Sequence, residues 1–194
     1  MEERSPEERH HTQLAMALIT SLAREEQLEG VDRRKELSHL ILTSHHLNAQ
    51  FLLQQLRDTD LYYEQAILQG KLGAHDRALD LLVNKAKDYQ QAETYCSAMA
   101  AGSSAELGRL LLQLLKLYLG PGADTTVQDS HTIRAVELLN SKAEQLPGPE
   151  VLELLPPHWN ISIILPALRR LSRGLVSSQP EGIEILISGS KNIP

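Results

Sequence analysis

The sequence predicts an all-α protein: an α-solenoid, built as a right-handed stack of antiparallel helical hairpins. Three observations predict it. Between Ser5 and Leu171, one segment after another repeats apolar residues at a period of about 3.6 between recognisable caps. Leu and Ala are abundant among the 42% apolar residues, while aromatics make up only 4%. That composition suits helices packed through aliphatic ridges better than sheets, which favour Val, Ile, Tyr and Thr. Finally, Leu61–Cys96 reads as two helices hinged at Gly73 and the start of a third. One such hairpin cannot bury its own apolar face, so neighbouring helices must stack on it.

The elements follow in order. Pro6 fits the first position of a helix that Ser5 can cap, with Glu8 completing a capping box. Leu14, Leu18 and Leu22, with Ala15 and Ile19, form its apolar face, and Gly30 is the expected stop. A second helix follows Asp32 with Leu37, Leu40 and Ile41 as its stripe, and a third carries Phe51, Leu52 and Leu56. Arg57-Asp58-Thr59-Asp60 turns the chain into the central hairpin. There Ala66, Gly73 and Ala78 are small where two backbones must approach, and Ala78-x-x-x-Leu82 imitates half of a tetratricopeptide unit.

Asp88 is the expected cap of a helix bearing Ala92, Tyr95 and Cys96. Gly102-Ser103-Ser104 breaks that helix, and Ser103-x-x-Glu106 forms another capping box before the leucine-dense run Leu107–Leu119. A helix apolar on most sides belongs inside a stack. Gly120-Pro121-Gly122 ends it, residues 123–131 read as a polar loop, and Ile133, Val136 and Leu139 mark the next helix. Pro149 starts a short helix to Leu155, stopped by Pro156-Pro157. Asn160 caps a last helix with Ile161, Ile164, Leu165, Leu168 and Leu171, in which Pro166 costs about 3 kcal/mol or a kink. Residues 1–173 are therefore expected to form the helical solenoid segment. Residues 174–194, where Ile183, Ile185 and Ile187 alternate among glycines, are expected to form an irregular tail.

Composition and motifs exclude several function classes. A formal charge of −6 argues against a nucleic-acid partner, which calls for a basic face. A single cysteine excludes an internal disulfide and fits a reducing compartment. No stretch approaches the roughly 18 uninterrupted apolar residues of a membrane span, and the charged start MEERSPEERHH holds no secretory h-region, so a cytoplasmic location without a membrane span is expected.

His10-His11 and His45-His46 are adjacent pairs, which diverge by about 100° on a helix and read as surface histidines rather than metal ligands. Asp58-x-Asp60 with Glu64 lacks the glycine and spacing of a calcium loop and reads as a turn and cap. Cys96 has no base beside it and reads as a buried packing thiol. Gly120-Pro121-Gly122 lacks the Gly-Lys-Ser/Thr of a phosphate loop. No catalytic or metal residue and no cofactor is expected. Arg169, Arg170 and Arg173 read as cations favouring the end of their own helix, with an acidic partner site as the other reading. Trp159 reads as a packing plug between two helices.

The string Gly70–Val83 (GKLGAHDRALDLLV), followed by Asp88 and Ala92-Glu93-Thr94-Tyr95-Cys96, closely resembles the family of transforming growth factor-β receptor-associated and vacuolar-sorting proteins. The likeness continues through Ala135–Asn140 and Val151–Pro156 and ends near Leu171, covering somewhat over half the chain. Members of that family are large subunits of the HOPS and CORVET endosomal tethering complexes. The resemblance implies a clathrin-heavy-chain-repeat-like helical region with a non-catalytic scaffolding role in membrane trafficking and fusion, peripheral on early endosomes. It implies other tethering-complex subunits as partners, with Rab GTPases and receptor cytoplasmic domains as further ones. The alternative it carries is a receptor-associated signalling adaptor in the transforming growth factor-β pathway. The family's cysteine-containing, zinc-binding end and its propeller-like N-terminal region have no counterpart here. Nothing in the residues assigns the partner-binding face.

Overall fold

In a computed structural model, the structure describes residues 6–22, 30–120, 125–157, 159 and 161–177. Among the described residues there is no strand, and the chain divides into two compact units, Met1–Leu117 and Tyr118–Pro194. The all-α expectation therefore holds. The expected caps at Ser5 and Asn160, and the tail isoleucines, lie outside the described residues.

In the first unit, α1 (Pro6–Leu22), α2 (Gly30–Thr43), α3 (Ala49–Leu56), α4 (Tyr62–Lys71), α5 (His75–Asp80), α6 (Tyr89–Met99) and most of α7 (Ser104–Leu119) follow one another. The early helices pack pairwise: α1 on α2 and α3, α2 on α4, and α4 on α3, α5 and α6. The even helices α2, α4 and α6 thus lie side by side in one layer, with α4 in the middle. Ile67, Leu68 and Ala66 of α4 are wholly buried, as are Leu37 and Ile41 of α2 and Ala92, Tyr95 and Cys96 of α6. Each leucine or isoleucine removed from water in this way contributes about 1.5–3 kcal/mol.

The corners show why the chain turns where it does. At the end of α4, Gly73 sits at φ +77°; its N–H donates to the Gly70 carbonyl at 2.9 Å and the next one, of Ala74, donates to the Gln69 carbonyl at 2.9 Å. Those two bonds are the Schellman pattern, which needs a left-handed residue at this position. A Cβ on Gly73 would meet nothing within 4 Å, so the residue supplies conformation and not close approach. After α5 the chain widens into a π-helical turn, Leu81–Lys85, before Lys87 turns left-handed at φ 54°. Asp88 then caps α6, its carboxylate accepting from the Gln91 N–H at 2.9 Å. Asn48 caps α3 in the same way, accepting from Phe51.

Several expectations are corrected. Leu14 is 45% exposed; the face of α1 is Thr12, Ala15 and Ile19, at i, i+3 and i+7. Gly30 opens α2 and does not end α1. Phe51 is exposed, while Ala49 takes the buried place at the start of α3. Ser103 does accept from the Glu106 N–H at 3.3 Å, but the Glu106 carboxylate pairs with Arg109 and not with the cap.

The second unit holds the end of α7, α8 (Thr125–Lys142) with a 3₁₀ turn at Ala143–Gln145, α9 (Gly148–Leu154) and α10 (Ile161–Ser177). α10 packs on α8, on the 3₁₀ turn and on α9. Most of the expected polar loop is helix, because α8 begins at Thr125. Its buried face is His131, Ala135, Leu138 and Leu139, so Ile133 is turned out at 58% exposure. α10 buries Ile164, Ala167 and Leu171, carries Pro166 inside it and runs to Ser177. Leu165, assigned to that stripe, is exposed.

Candidate functional site

The residues singled out by sequence fall into three situations. Cys96 and Tyr95 are fully buried. Burial, reinforced by Glu93, pushes the Cys96 thiol up to about 12, which leaves it protonated and inert at neutral pH. The Tyr95 hydroxyl is likewise driven upward, first by burial, and bonds to His75 Nδ1 at 2.8 Å. These groups hold α6 against α4 and α5.

The histidine pairs do not act as pairs. His11 bonds through Nδ1 to Ser44 Oγ at 2.7 Å, and His46 Nε2 lies 3.6 Å from Glu7 Oε2. The His11 ring lies 6.2 Å from that of His10 and 6.4 Å from that of His46. They tie α1 to the turn after α2. Among the described residues no three His, Cys, Asp or Glu side chains are placed to hold a metal ion.

Arg169 and Arg170 lie within α10 rather than in its last turn, since the helix continues to Ser177. Arg170 donates to the Asn140 carbonyl near the end of α8, so the dipole it serves is that of another helix. Trp159 is half-buried in the turn between α9 and α10, its backbone N–H donating to the Pro156 carbonyl at 3.1 Å. Of Gly120-Pro121-Gly122, only Gly120 is among the described residues.

Glu64 departs most from its expected role. Asp58 and Asp60 stand exposed in the turn, but Glu64, two residues into α4 from Tyr62, is wholly buried. Its carboxylate accepts from Arg34 Nε at 3.1 Å and Arg34 Nη2 at 3.3 Å, and lies 2.8 Å from Ser38 Oγ. Arg34 Nη2 also reaches the Asp60 carbonyl at 3.4 Å. Gln65 beside it sends Nε2 to the Leu56 and Thr59 carbonyls at 2.7 and 3.0 Å, closing the end of α3. Arg34 and Ser38 stand at i and i+4 on α2, so both reach the same carboxylate. Residues 34 and 64 are too far apart in sequence for any local pattern to reveal the pair.

Beside this pair lies a groove of about 590 Å³ over α4, lined by Arg34, Lys35, Ser38, His39 and Leu42 of α2, Tyr63 and Glu64 of α4, and Gln91 and Thr94 of α6. Burial and the Glu64 charge raise the Tyr63 hydroxyl. A second, more polar cavity of about 440 Å³ lies between Ser44–Gln50 and Lys71-Leu72. Its ammonium, that of Lys71, donates to the Ser44 carbonyl at 2.8 Å and is depressed by burial. The arrangement offers shaped grooves and a fixed ion pair, which suit recognition of another chain.

The resemblance extends beyond the part read from motifs. Over 189 residues the chain is 35% identical to transforming growth factor-beta receptor-associated protein 1 homolog of Danio rerio. Over 188 residues it is 30% identical to transforming growth factor-beta receptor-associated protein 1 of Homo sapiens. Each match covers 92% of this chain and 21% of the relative, so the chain spans about a fifth of the length of these proteins. Vacuolar sorting protein 3 of Arabidopsis thaliana is 28% identical over 154 residues, which are 78% of this chain and 14% of that one. No family model and no solved structure matches the chain. Among the described residues no helix is long and apolar enough to cross a membrane.

Proposed function

We propose that this chain, homologous along nearly its whole length to a segment of the transforming growth factor-β receptor-associated and vacuolar-sorting proteins, is a non-catalytic scaffold segment of an endosomal vesicle-tethering subunit of the CORVET/HOPS kind. The observation that carries the reading is this similarity over 92% of the chain. The side-by-side packing of α2, α4 and α6 agrees with it, because stacked helices offer an extended surface on which other subunits dock. Scaffolding needs no reacting group; it needs a stiff stack whose faces are held in register, and the Arg34–Glu64 pair and the Gln65 corner hold α2, α3 and α4 in that way.

The partners are other tethering-complex subunits, with Rab GTPases as a further class, and the place of action is the cytoplasmic face of early endosomes. Affinity purification of the chain from cells should recover large helical subunits of a tethering complex. Recovery of none of them, with the chain spread through the cytosol, would overturn the reading.

A second reading, a receptor-associated adaptor in transforming growth factor-β signalling, is suggested by the relatives of Danio rerio and Homo sapiens, which are named as receptor-associated proteins. It requires association with receptor cytoplasmic domains that changes when the receptor is activated.

A further inference from the structure

We infer that the groove between α2 and α6 is a docking site for a segment of a partner protein that carries an apolar side chain beside carboxylates. The inference rests on the scaffold reading, and it adds the surface and the chemistry of recognition.

The charge is the first support. The groove is lined by two cations, Arg34 and Lys35, against one anion, Glu64, whose carboxylate Arg34 already engages. With Arg34 balanced by Glu64, Lys35 is the cation the groove presents to solvent, on a chain whose formal charge is −6. The facing wall, Gln91 and Thr94, contributes no charge. Among the described residues Lys35 pairs with Asp32 of its own helix, and both are open to solvent, a contact too weak to hold the ammonium from a better partner.

The cation is also built in place. A wholly buried carboxylate beneath a guanidinium costs desolvation that an apolar residue at position 64 would avoid. What the pair gives in return is orientation. Nε and Nη2 are fixed by Glu64 and the Asp60 carbonyl, which sets the plane of the guanidinium and leaves Nη1, on a side chain 40% exposed, for a carboxylate from outside. Planar, pre-oriented guanidinium is the group that recognises carboxylates best. Leu42 and Tyr63, both half-buried, supply apolar surface beside it. An apolar side chain over these two residues, with a carboxylate at Arg34 and another at Lys35, matches the apolar surface and both cations of the groove.

The test uses the whole chain and two fluorescent peptides: an amphipathic helix with leucines flanked by glutamates, and the same peptide with glutamine at every glutamate. Anisotropy should show the acidic peptide binding at least tenfold tighter than the amide one. Lys35→Glu should weaken it about tenfold without touching the fold, because that side chain is 74% exposed. The double variant Arg34→Gln/Glu64→Gln removes the guanidinium without stranding a buried carboxylate, and should weaken the acidic peptide equally, with folding checked by thermal melting. Equal binding of the two peptides, no binding of either, or indifference to Lys35→Glu overturns the inference. So does a dimer of the wild type that Lys35→Glu dissolves, which would make a second copy the occupant. So, too, does a tenfold tighter grip on the acidic peptide after removal of residues 178–194, which would make this chain's own tail the occupant. Purification of Lys35→Glu beside the wild type separates the two readings: if the wild type recovers no tethering subunit the scaffold reading fails, and if both recover them equally only the groove fails.

Discussion

The hydroxyl of Tyr95, on α6, rests against the bare Cα of Gly70, on α4. A Cβ at Gly70 would collide with that hydroxyl and lie 2.9 Å from Met99 Cε. The same hydroxyl bonds to His75 at 2.8 Å, so it has nowhere to retreat. This contact sets how closely two neighbouring even helices approach.

Gly70→Ala is accordingly expected to destabilise the chain. Alanine gains about 1 kcal/mol of helix propensity over glycine, but overpacking costs about 1–3 kcal/mol, and here the obstacle is a rigid, hydrogen-bonded ring. Urea unfolding should show a net loss. Adding Tyr95→Phe should recover part of it, so that the double variant is less unstable than the sum of the singles. A neutral Gly70→Ala, or strict additivity, would mean the two helices are not in that contact.

Ala78 is wholly buried on α5. Ala78→Leu should cost about 1–3 kcal/mol by overpacking, whereas Ala17→Leu, at an exposed position of α1, should stay within about 0.5 kcal/mol. Thermal or urea melts of both variants check this, and equal behaviour would remove the central hairpin from the account.

Lys87 and Ala101 turn left-handed at φ 54° and 48°, a conformation that costs a side-chain-bearing residue about 1–2 kcal/mol. Glycine escapes most of that cost but is more flexible when unfolded. Lys87→Gly and Ala101→Gly should each raise stability by about 0.5–1 kcal/mol in urea melts; a loss at both would show that these turns are not formed as described.

His131 is buried on α8, 5.9 Å from the ring of Tyr118, and burial lowers its pKa from 6.5. The unfolded chain therefore binds the proton more readily than the folded one. Stability from this residue is present above pH 6.5 and is lost as pH falls through the lowered folded value. Hydrogen-exchange protection factors in α8 and α10, corrected for the intrinsic pH dependence of amide exchange, should fall below pH 6.5 in the wild type, and less steeply in His131→Gln. Identical slopes would show that the imidazole titrates as it does in water.

Much of the first unit was legible because its signals are local. Asp88 caps α6, Gly73 turns the hairpin, and Ala92, Tyr95 and Cys96 are buried on one face, each following from spacing and backbone preference. Where the chain was misread, tertiary contacts overrode a plausible local pattern. Ile133 and Leu14 look like core by hydropathy, yet α8 and α1 are rotated so that His131 and Thr12 take buried places instead. Thr125–Ser130 carries weak helix formers and no apolar stripe, so periodicity is silent there although α8 has begun. The candidate groove was the least visible. Its central pair joins residues 30 positions apart, and a buried glutamate reads in sequence like any surface one. Gly70 was readable only as a small residue, since nothing local points to Tyr95.

Proximity labelling from the full chain in living cells tests the central claim, scaffolding in a tethering complex, most directly. The account predicts that the labelled set is led by large helical and propeller-bearing tethering subunits, with the chain in endosomal puncta and the set unchanged by receptor stimulation. A set led by receptor cytoplasmic domains, rising or falling with receptor activation and lacking those subunits, would contradict it.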